Sequence, residues 1–160
     1  MAVEGVGPRD VAALELPALG CVERGESGIW TMRAADGTAV TAVQWFLADL
    51  AATDAADSTL RSYAYDLLRW FRFLAAIDVE WSRATRRDVR DFVRWFRGAP
   101  NAQRARGDKW SSRPGAGTLN LQTGKAYLSE GYAPRTINHA LSVTWNLAAV
   151  KIISLLTTTN

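Results

Sequence analysis

Arginine, tyrosine and serine recur at helical spacing in the run "STLRSYAYDLLRWFRFL", residues 58–74. At 100° per residue, one side of a helix built from this run collects Ser58, Arg61, Tyr65, Arg69 and Arg72. Guanidinium groups donate paired hydrogen bonds to phosphate oxygens and base edges, and hydroxyl groups add single ones. The spacing therefore predicts a helix whose polar side is suited to a nucleic acid backbone, provided that this side faces solvent.

The distribution of charge supports this interpretation. Residues 1–57 hold three basic and nine acidic side chains, a net charge of −6, whereas residues 58–160 hold sixteen basic and seven acidic ones, a net charge of +9. A basic region of this kind, preceded by an acidic one, favours binding to a polyanion. The arginine side must not be neutralised by the acidic segment if it is to bind such a partner.

Apolar residues at helical spacing predict four helices that would position these side chains. Thr85 and Asp88 give the third helix a start that resembles a capping box, and Pro134 fits the first turn of the fourth. The predicted helices are about 39–52, 58–74, one from Thr85 and one from Pro134.

Three segments lack a sustained helical pattern. We expect residues 1–37 to form an acidic, mobile segment with at most a short strand near "GIWTMRA", and residues 98–131 to form a long, flexible, basic insert. The end of the chain, 149–160, is predicted to be a strand or a frayed tail. The predicted architecture is thus an all-α, four-helix domain at 38–148.

The residue types that carry most catalysis are scarce. His139 is the one histidine and Cys21 the one cysteine, and no phosphate-loop, dinucleotide or nucleophile-elbow motif occurs. We expect Asp66, Asp88 and Asp91 to pair with arginines on helix surfaces. The sequence therefore predicts no catalytic residue, metal, cofactor or small-molecule substrate. Without a secretion signal or about 18 consecutive apolar residues, it also predicts a cytoplasmic protein with no membrane contact.

The run at 58–74, followed by "YAPRTINHALSV", resembles the N-terminal core-binding, SAM-like domain of the tyrosine recombinases, or phage integrases. In that family a Thr precedes Tyr, Leu, Phe and Leu at helical spacing, and Thr-Ile-Asn opens the last helix. The likeness covers about residues 38–144. The matching positions are Thr59, Tyr63, Leu67, Phe71 and Leu74, followed by Thr136, Ile137 and Asn138.

The resemblance implies a domain that forms half of a clamp around recombination-site DNA, with its second and fourth helices on the duplex. It implies DNA contact at the starts of these helices, while the arginine side adds residues further along the second one. The predicted DNA-binding residues are Thr59, Arg61, Ser62, Tyr65, Arg69, Arg72, Arg135, Thr136, Asn138 and His139. Tyr63, Leu67, Phe71 and Leu74 are predicted core residues.

The sequence also departs from the family. After "LSV" the chain reads "TWNLAAVKIISLLTTTN", where the family continues with an Arg and an aromatic residue, and no catalytic domain follows. We therefore expect a truncated recombinase that binds double-stranded DNA without cutting it, with a full-length recombinase as a further partner. The alternative is a helical protein-interaction module whose arginines meet an acidic partner.

Overall fold

Four α-helices form where the sequence carries regular apolar stripes. The computed structural model describes residues 9–100, 121, 124 and 131–157, with side chains up to residue 149. Within these residues the helices are α1 (Thr41–Ala52), α2 (Asp57–Ala76), α3 (Arg86–Gly98) and α4 (Pro134–Thr157), and a 3₁₀ turn covers Trp81–Arg83. The predicted mainly helical class and the four helices are confirmed.

Helix α2 lies at the centre of the fold and buries side chains towards two apolar clusters. One cluster joins Phe73 and Leu74 to the aromatic side chains of α3, including Phe92 and Phe96. The other joins Leu67 to α1 and to the middle of α4. Of the predicted α2 core residues, Leu67 and Leu74 are buried, whereas Tyr63 and Phe71 are half-buried. A central helix needs a wider apolar surface than a single stripe, which is why Leu68, Trp70 and Phe73 are buried as well.

A β-hairpin corrects the predicted all-α class. Strands β1 (Cys21–Arg24) and β2 (Trp30–Arg33) pair antiparallel, with Val22 opposite Met32. Met32 is 1% exposed and packs against α1 and α2. The predicted short strand near "GIWTMRA" is confirmed as β2, and burial of its apolar side chains on the helices stabilises a hairpin that would be marginal alone.

The chain before the hairpin is also part of the fold. We call residues 9–20 the leader. Val11 is 2% exposed within the α2–α3 cluster, and the indole N–H of Trp95 donates to the carbonyl oxygen of Leu14 at 2.8 Å. The described part of the N-terminal segment, which we expected to be mobile, is therefore packed on the helices. Its apolar residues are too irregularly spaced to indicate this burial.

The end of the chain differs from the prediction as well. Helix α4 continues through Thr157, where the sequence predicted a strand or a frayed tail from residue 149. Extending an existing helix fixes one residue for each new hydrogen bond and needs no new nucleus, so "KIISLLT" continues α4.

The predicted basic insert between α3 and α4 lies largely outside the described residues. Pro100 and Gly131 at its two ends form an isolated β-bridge. Its conformation and the domain limits remain predictions.

Candidate nucleic-acid interface

One side of α4 faces solvent over its first four turns. Its buried side is formed by Ile137, Ala140, Val143 and Leu147. Arg135, Asn138, His139 and Ser142 lie on the opposite side and are exposed. Thr136 is half-buried at the edge of this surface. The exposed side therefore presents a guanidinium, an amide, an imidazole and a hydroxyl, which can all hydrogen-bond to phosphates or base edges.

A buried carboxylate joins this side of α4 to α2. Asp66 is 7% exposed, and its two oxygens contact different partners. Oδ1 accepts a hydrogen bond from Arg69 at 2.7 Å, and Oδ2 lies 2.7 Å from Nδ1 of His139. The ring of Tyr63 lies edge-on to the imidazole, with centroids 5.2 Å apart. Because an ionised carboxylate only accepts, Nδ1 of His139 carries the proton here, and Nε2 remains for a ligand. Asp66 was expected on the surface, and its burial corrects that expectation.

The first turns of α2 present polar and aromatic side chains beside this junction. Arg61, Ser62 and Tyr65 are exposed, and Thr59 is half-buried. The guanidinium of Arg61 lies 5.1 Å from the ring centroid of Tyr65 and 5.7 Å from that of Trp30 in β2. Cation–π contact with two rings orients the guanidinium while its N–H groups can still donate to a ligand.

Further along α2, the leader covers the arginines. Arg72 donates from Nε to the carbonyl oxygen of Leu19 at 2.6 Å and from its terminal nitrogen to that of Gly20 at 2.9 Å. The guanidinium of Arg69 pairs with Asp66 and lies 5.0 Å from the ring centroid of Phe96 and 5.2 Å from that of Tyr132. Between the leader and α2 runs a groove of about 950 Å³. Both arginines therefore have intramolecular partners.

The structure thus divides the predicted site. It joins α2 and α4 through the contacts of His139 with Asp66 and Tyr63, whereas Arg72 is held by the leader. The exposed predicted residues are Arg61, Ser62, Tyr65, Arg135, Asn138 and His139, and the half-buried ones are Thr59, Arg69, Arg72 and Thr136. No contact with DNA is tested by this arrangement, so the DNA-binding roles remain predictions.

Helix α3 carries a second set of arginines that we did not predict as site residues. Arg86, Arg90, Arg94 and Arg97 are exposed along one side of this helix. Its two carboxylates, Asp88 and Asp91, are 3% and 4% exposed. The signal in the sequence was the spacing of these arginines beside the apolar stripe. We expected Asp88 and Asp91 to pair with some of these arginines.

The buried aspartates of α3 are neutralised by the leader. Arg9 lies 2.5 Å from Oδ1 of Asp88 and 3.8 Å from Oδ2 of Asp91. Asp88 also accepts from the backbone N–H of Thr85 at 2.8 Å and from its hydroxyl at 2.7 Å, which confirms the predicted capping box. Burial alone raises the pKa of Asp88, but the hydrogen bonds from Thr85 and Arg9 outweigh it and lower that pKa below its ordinary value.

Other types of site have no support in the part of the chain that the structure describes. Its His, Cys, Asp and Glu side chains form no cluster of three or more that could hold a metal ion. None of the described helices combines the length and apolar character needed to cross a membrane.

Comparison with known proteins gives one match. Residues 43–112 match the family model of the phage integrase N-terminal SAM-like domain. No curated protein and no solved structure matches the chain. The matched range begins in α1, contains α2 and α3, and ends before α4, so the likeness at "YAPRTINHALSV" lies outside it. Over residues 43–112 this chain is therefore similar to the phage integrase N-terminal SAM-like domain.

Proposed function

We propose that this chain binds double-stranded DNA through the exposed starts of α2 and α4. The proposed interface consists of Arg61, Ser62, Tyr65, Arg135, Asn138 and His139. The observation that carries the proposal is the contact of His139 with Asp66, which holds the exposed side of α4 against α2. The side chains of two helices then form one surface rich in hydrogen-bond donors.

The chemistry of this surface suits a duplex. Arg61 and Arg135 would neutralise phosphates, while the hydroxyl of Ser62 would donate to phosphate oxygens. Asn138 and Nε2 of His139 are the groups suited to base edges, since the major groove admits an α-helix and exposes donors and acceptors of every base pair. Arg69 and Arg72 are left out of the proposed interface because their guanidinium groups are already engaged.

The family supplies the biological setting. Phage integrases recombine DNA at specific sites, so we propose that the bound DNA is a recombination site and that a full-length recombinase shares it. The activity proposed for this chain is binding alone, without strand cleavage, and its proposed compartment is the cytoplasm.

Fluorescence anisotropy with a labelled random-sequence duplex tests the proposal. Affinity should fall steeply between about 50 and 200 mM salt, because each neutralised phosphate releases counterions. The double variant Arg61→Ala/Arg135→Ala should lower the slope of log K against log[salt] by about 1.8, since each phosphate contact contributes about 0.9.

Arg83→Ala is the control for this experiment. Arg83 is exposed in the 3₁₀ turn beyond the far end of α2. Its loss should leave the slope nearly unchanged. Salt-independent binding, or equal losses in the double variant and the control, would contradict the proposed interface.

A protein-interaction module remains the second candidate, because one observation favours it. The leader binds Arg72 through backbone carbonyls, so part of the arginine side of α2 already contacts polypeptide. The partner proposed in this case is an acidic segment of another protein. Displacement of labelled duplex by unlabelled duplex but not by polyglutamate at equal charge favours DNA, and the reverse order of competition favours this module.

A further inference from the structure

A shallow groove lies between the first turns of α3 and the middle of α4. Arg86, Val89 and Arg90 line it from α3, and Trp145 lines it from α4, around a volume of about 490 Å³. Trp145 is 51% exposed and belongs to neither apolar cluster of the described residues. Beside two arginines, this exposed ring adds an aromatic surface to a cationic groove.

The groove presents hydrogen-bond donors and no carboxylate. The guanidinium of Arg86 lies over the indole of Trp145, 5.7 Å from its centroid. Nε of Arg90 makes a long contact of 3.5 Å with the carbonyl oxygen of Arg86. The acidic side chains of α3, Asp88 and Asp91, are buried and paired with Arg9, so they do not neutralise this surface. A fitting ligand therefore combines anionic oxygens with an apolar surface.

The groove is continuous with the exposed side of α4, and this position indicates the kind of ligand that it binds. On α4, Asn138, Ser142 and Trp145 follow one another at spacings of four and three residues and are all exposed. The groove is thus the α3 edge of the same surface whose α2 edge is the His139–Asp66 junction. A DNA strand that crosses the start of α4 would next reach Arg86 and Arg90.

We propose that this groove binds the sugar–phosphate backbone of the same duplex, an inference that rests on the proposed DNA binding. Arg86 and Arg90 bind phosphate oxygens, and Trp145 packs its exposed ring against deoxyribose. The groove extends the interface from α2 and α4 onto α3. An acidic protein segment would also supply anionic oxygens. The groove is continuous with the exposed side of α4, however, and this favours DNA as the ligand.

Salt titrations of the full chain on the labelled duplex test this assignment. Arg86→Ala/Arg90→Ala should lower the slope of log K against log[salt] by about 1.8, because two phosphate contacts are lost. The matched control is Arg94→Ala/Arg97→Ala, which removes the same charge from exposed positions of the same helix. At 1.5 Å per residue, Arg97 lies about 10 Å beyond Arg90 along α3, further than the Debye length of about 8 Å at physiological salt, and Arg94 lies about 6 Å beyond Arg90. The control should keep nearly the wild-type slope.

Trp145 is tested separately. Trp145→Ala should weaken binding several-fold at every salt concentration without a change in slope, because an apolar contact releases no counterions. Trp145→Phe should restore most of the affinity. Circular dichroism and the melting temperature should be unchanged in the Arg86/Arg90 and Trp145 variants, since these three side chains are exposed.

The outcomes separate the two proposals. If wild-type binding is lost in Arg61→Ala/Arg135→Ala but kept in the Arg86/Arg90 and Trp145 variants, the groove proposal fails and the proposed function stands. Equal losses in the Arg86/Arg90 and Arg94/Arg97 variants also overturn it, since a general charge effect then suffices. If the wild-type chain does not bind duplex at all, the proposed function fails and the groove proposal fails with it.

Discussion

Helices α2 and α3 both carry arginines at helical spacing, but the fold treats the two sets differently. On α2, Arg72 binds leader carbonyls, and Arg69 binds Asp66 and two aromatic rings. On α3, Arg86, Arg90, Arg94 and Arg97 are exposed, and the nearby carboxylates are buried beneath them. On α2, Arg69 and Arg72 have intramolecular partners, whereas on α3 the four arginines are exposed and Arg94 alone of them contacts an aspartate in the described residues.

The leader accounts for both outcomes. It runs along α2, where its carbonyl oxygens accept hydrogen bonds from Arg72, and it contributes Arg9 to the carboxylates of α3. Arg9, a cation from outside α3, thus pairs with Asp88 and lies near Asp91, and Arg94 is the α3 arginine that contacts Asp91. A run of arginines therefore indicates a binding surface only when the positions of the carbonyl and carboxylate groups that can bind those arginines are known.

The largest expected effect comes from Arg9→Ala. This change leaves the buried carboxylate of Asp88 without a cation and Asp91 with Arg94 alone, and breaking a buried ion pair costs about 3 kcal/mol or more. Urea unfolding followed by circular dichroism measures the loss. Arg97→Ala, an exposed change on α3, should alter the free energy of unfolding by less than about 0.5 kcal/mol. Similar small effects of both changes would mean that the leader does not neutralise α3.

Gly20→Ala should be the next most damaging change. Gly20 has φ of +67°, and a Cβ atom there would lie 2.5 Å from the carbonyl oxygen of Arg33. Strain and clash together should cost about 1–3 kcal/mol and release the carbonyl that Arg72 binds. Gly28→Ala is the control, because its φ is +75° but no atom lies within 4 Å of the added Cβ. The thermal unfolding of the two variants should differ; equal melting temperatures would contradict a clash at residue 20.

Arg72→Ala and Arg90→Ala test the comparison directly. Arg72→Ala should lower the free energy of unfolding by about 1–2 kcal/mol, since two charge-assisted hydrogen bonds are lost, and should leave DNA affinity nearly unchanged. Arg90→Ala should do the opposite, with unchanged stability and weaker DNA binding. Each variant needs one urea titration and one anisotropy titration. A stable Arg72→Ala variant that binds DNA poorly would reverse the roles assigned to the two helices.

The smallest expected effect is on the pH dependence of stability. The pKa of Asp88 is lowered in the folded chain, so its ionised form stabilises the fold above the ordinary aspartate pKa of about 3.9. That contribution is lost as the pH falls through the lower, folded-state value. The free energy of unfolding should therefore decrease below about pH 4, and Asp88→Asn should make this decrease shallower. Asp49→Asn, at an exposed position of α1, should retain the wild-type profile.

Much of the fold followed from local patterns. The apolar spacing predicted the helices, and Thr85 with Asp88 predicted the start of α3, because these signals act within one or two turns. The hairpin, the packed leader and the continued α4 were missed. Their stability comes from burial of Met32 and Val11 on distant helices and from extension of an existing helix, and neither leaves a local signal.

For the candidate site, the sequence predicted which side chains are exposed but not their long-range partners. Exposure of Arg61, Arg135, Asn138 and His139 agrees with their positions on the polar sides of α2 and α4. The contact of Asp66 with His139 and those of Arg72 with the leader join residues about 50–70 positions apart in the chain, so spacing could not indicate them.

The sequence by itself determined which residues form helices and that one half of the chain is basic, because periodicity and charge are local properties. Only the tertiary structure decided which arginines are available to a ligand. A guanidinium binds the nearest acceptors, and those are supplied by segments that the fold brings together from far along the chain.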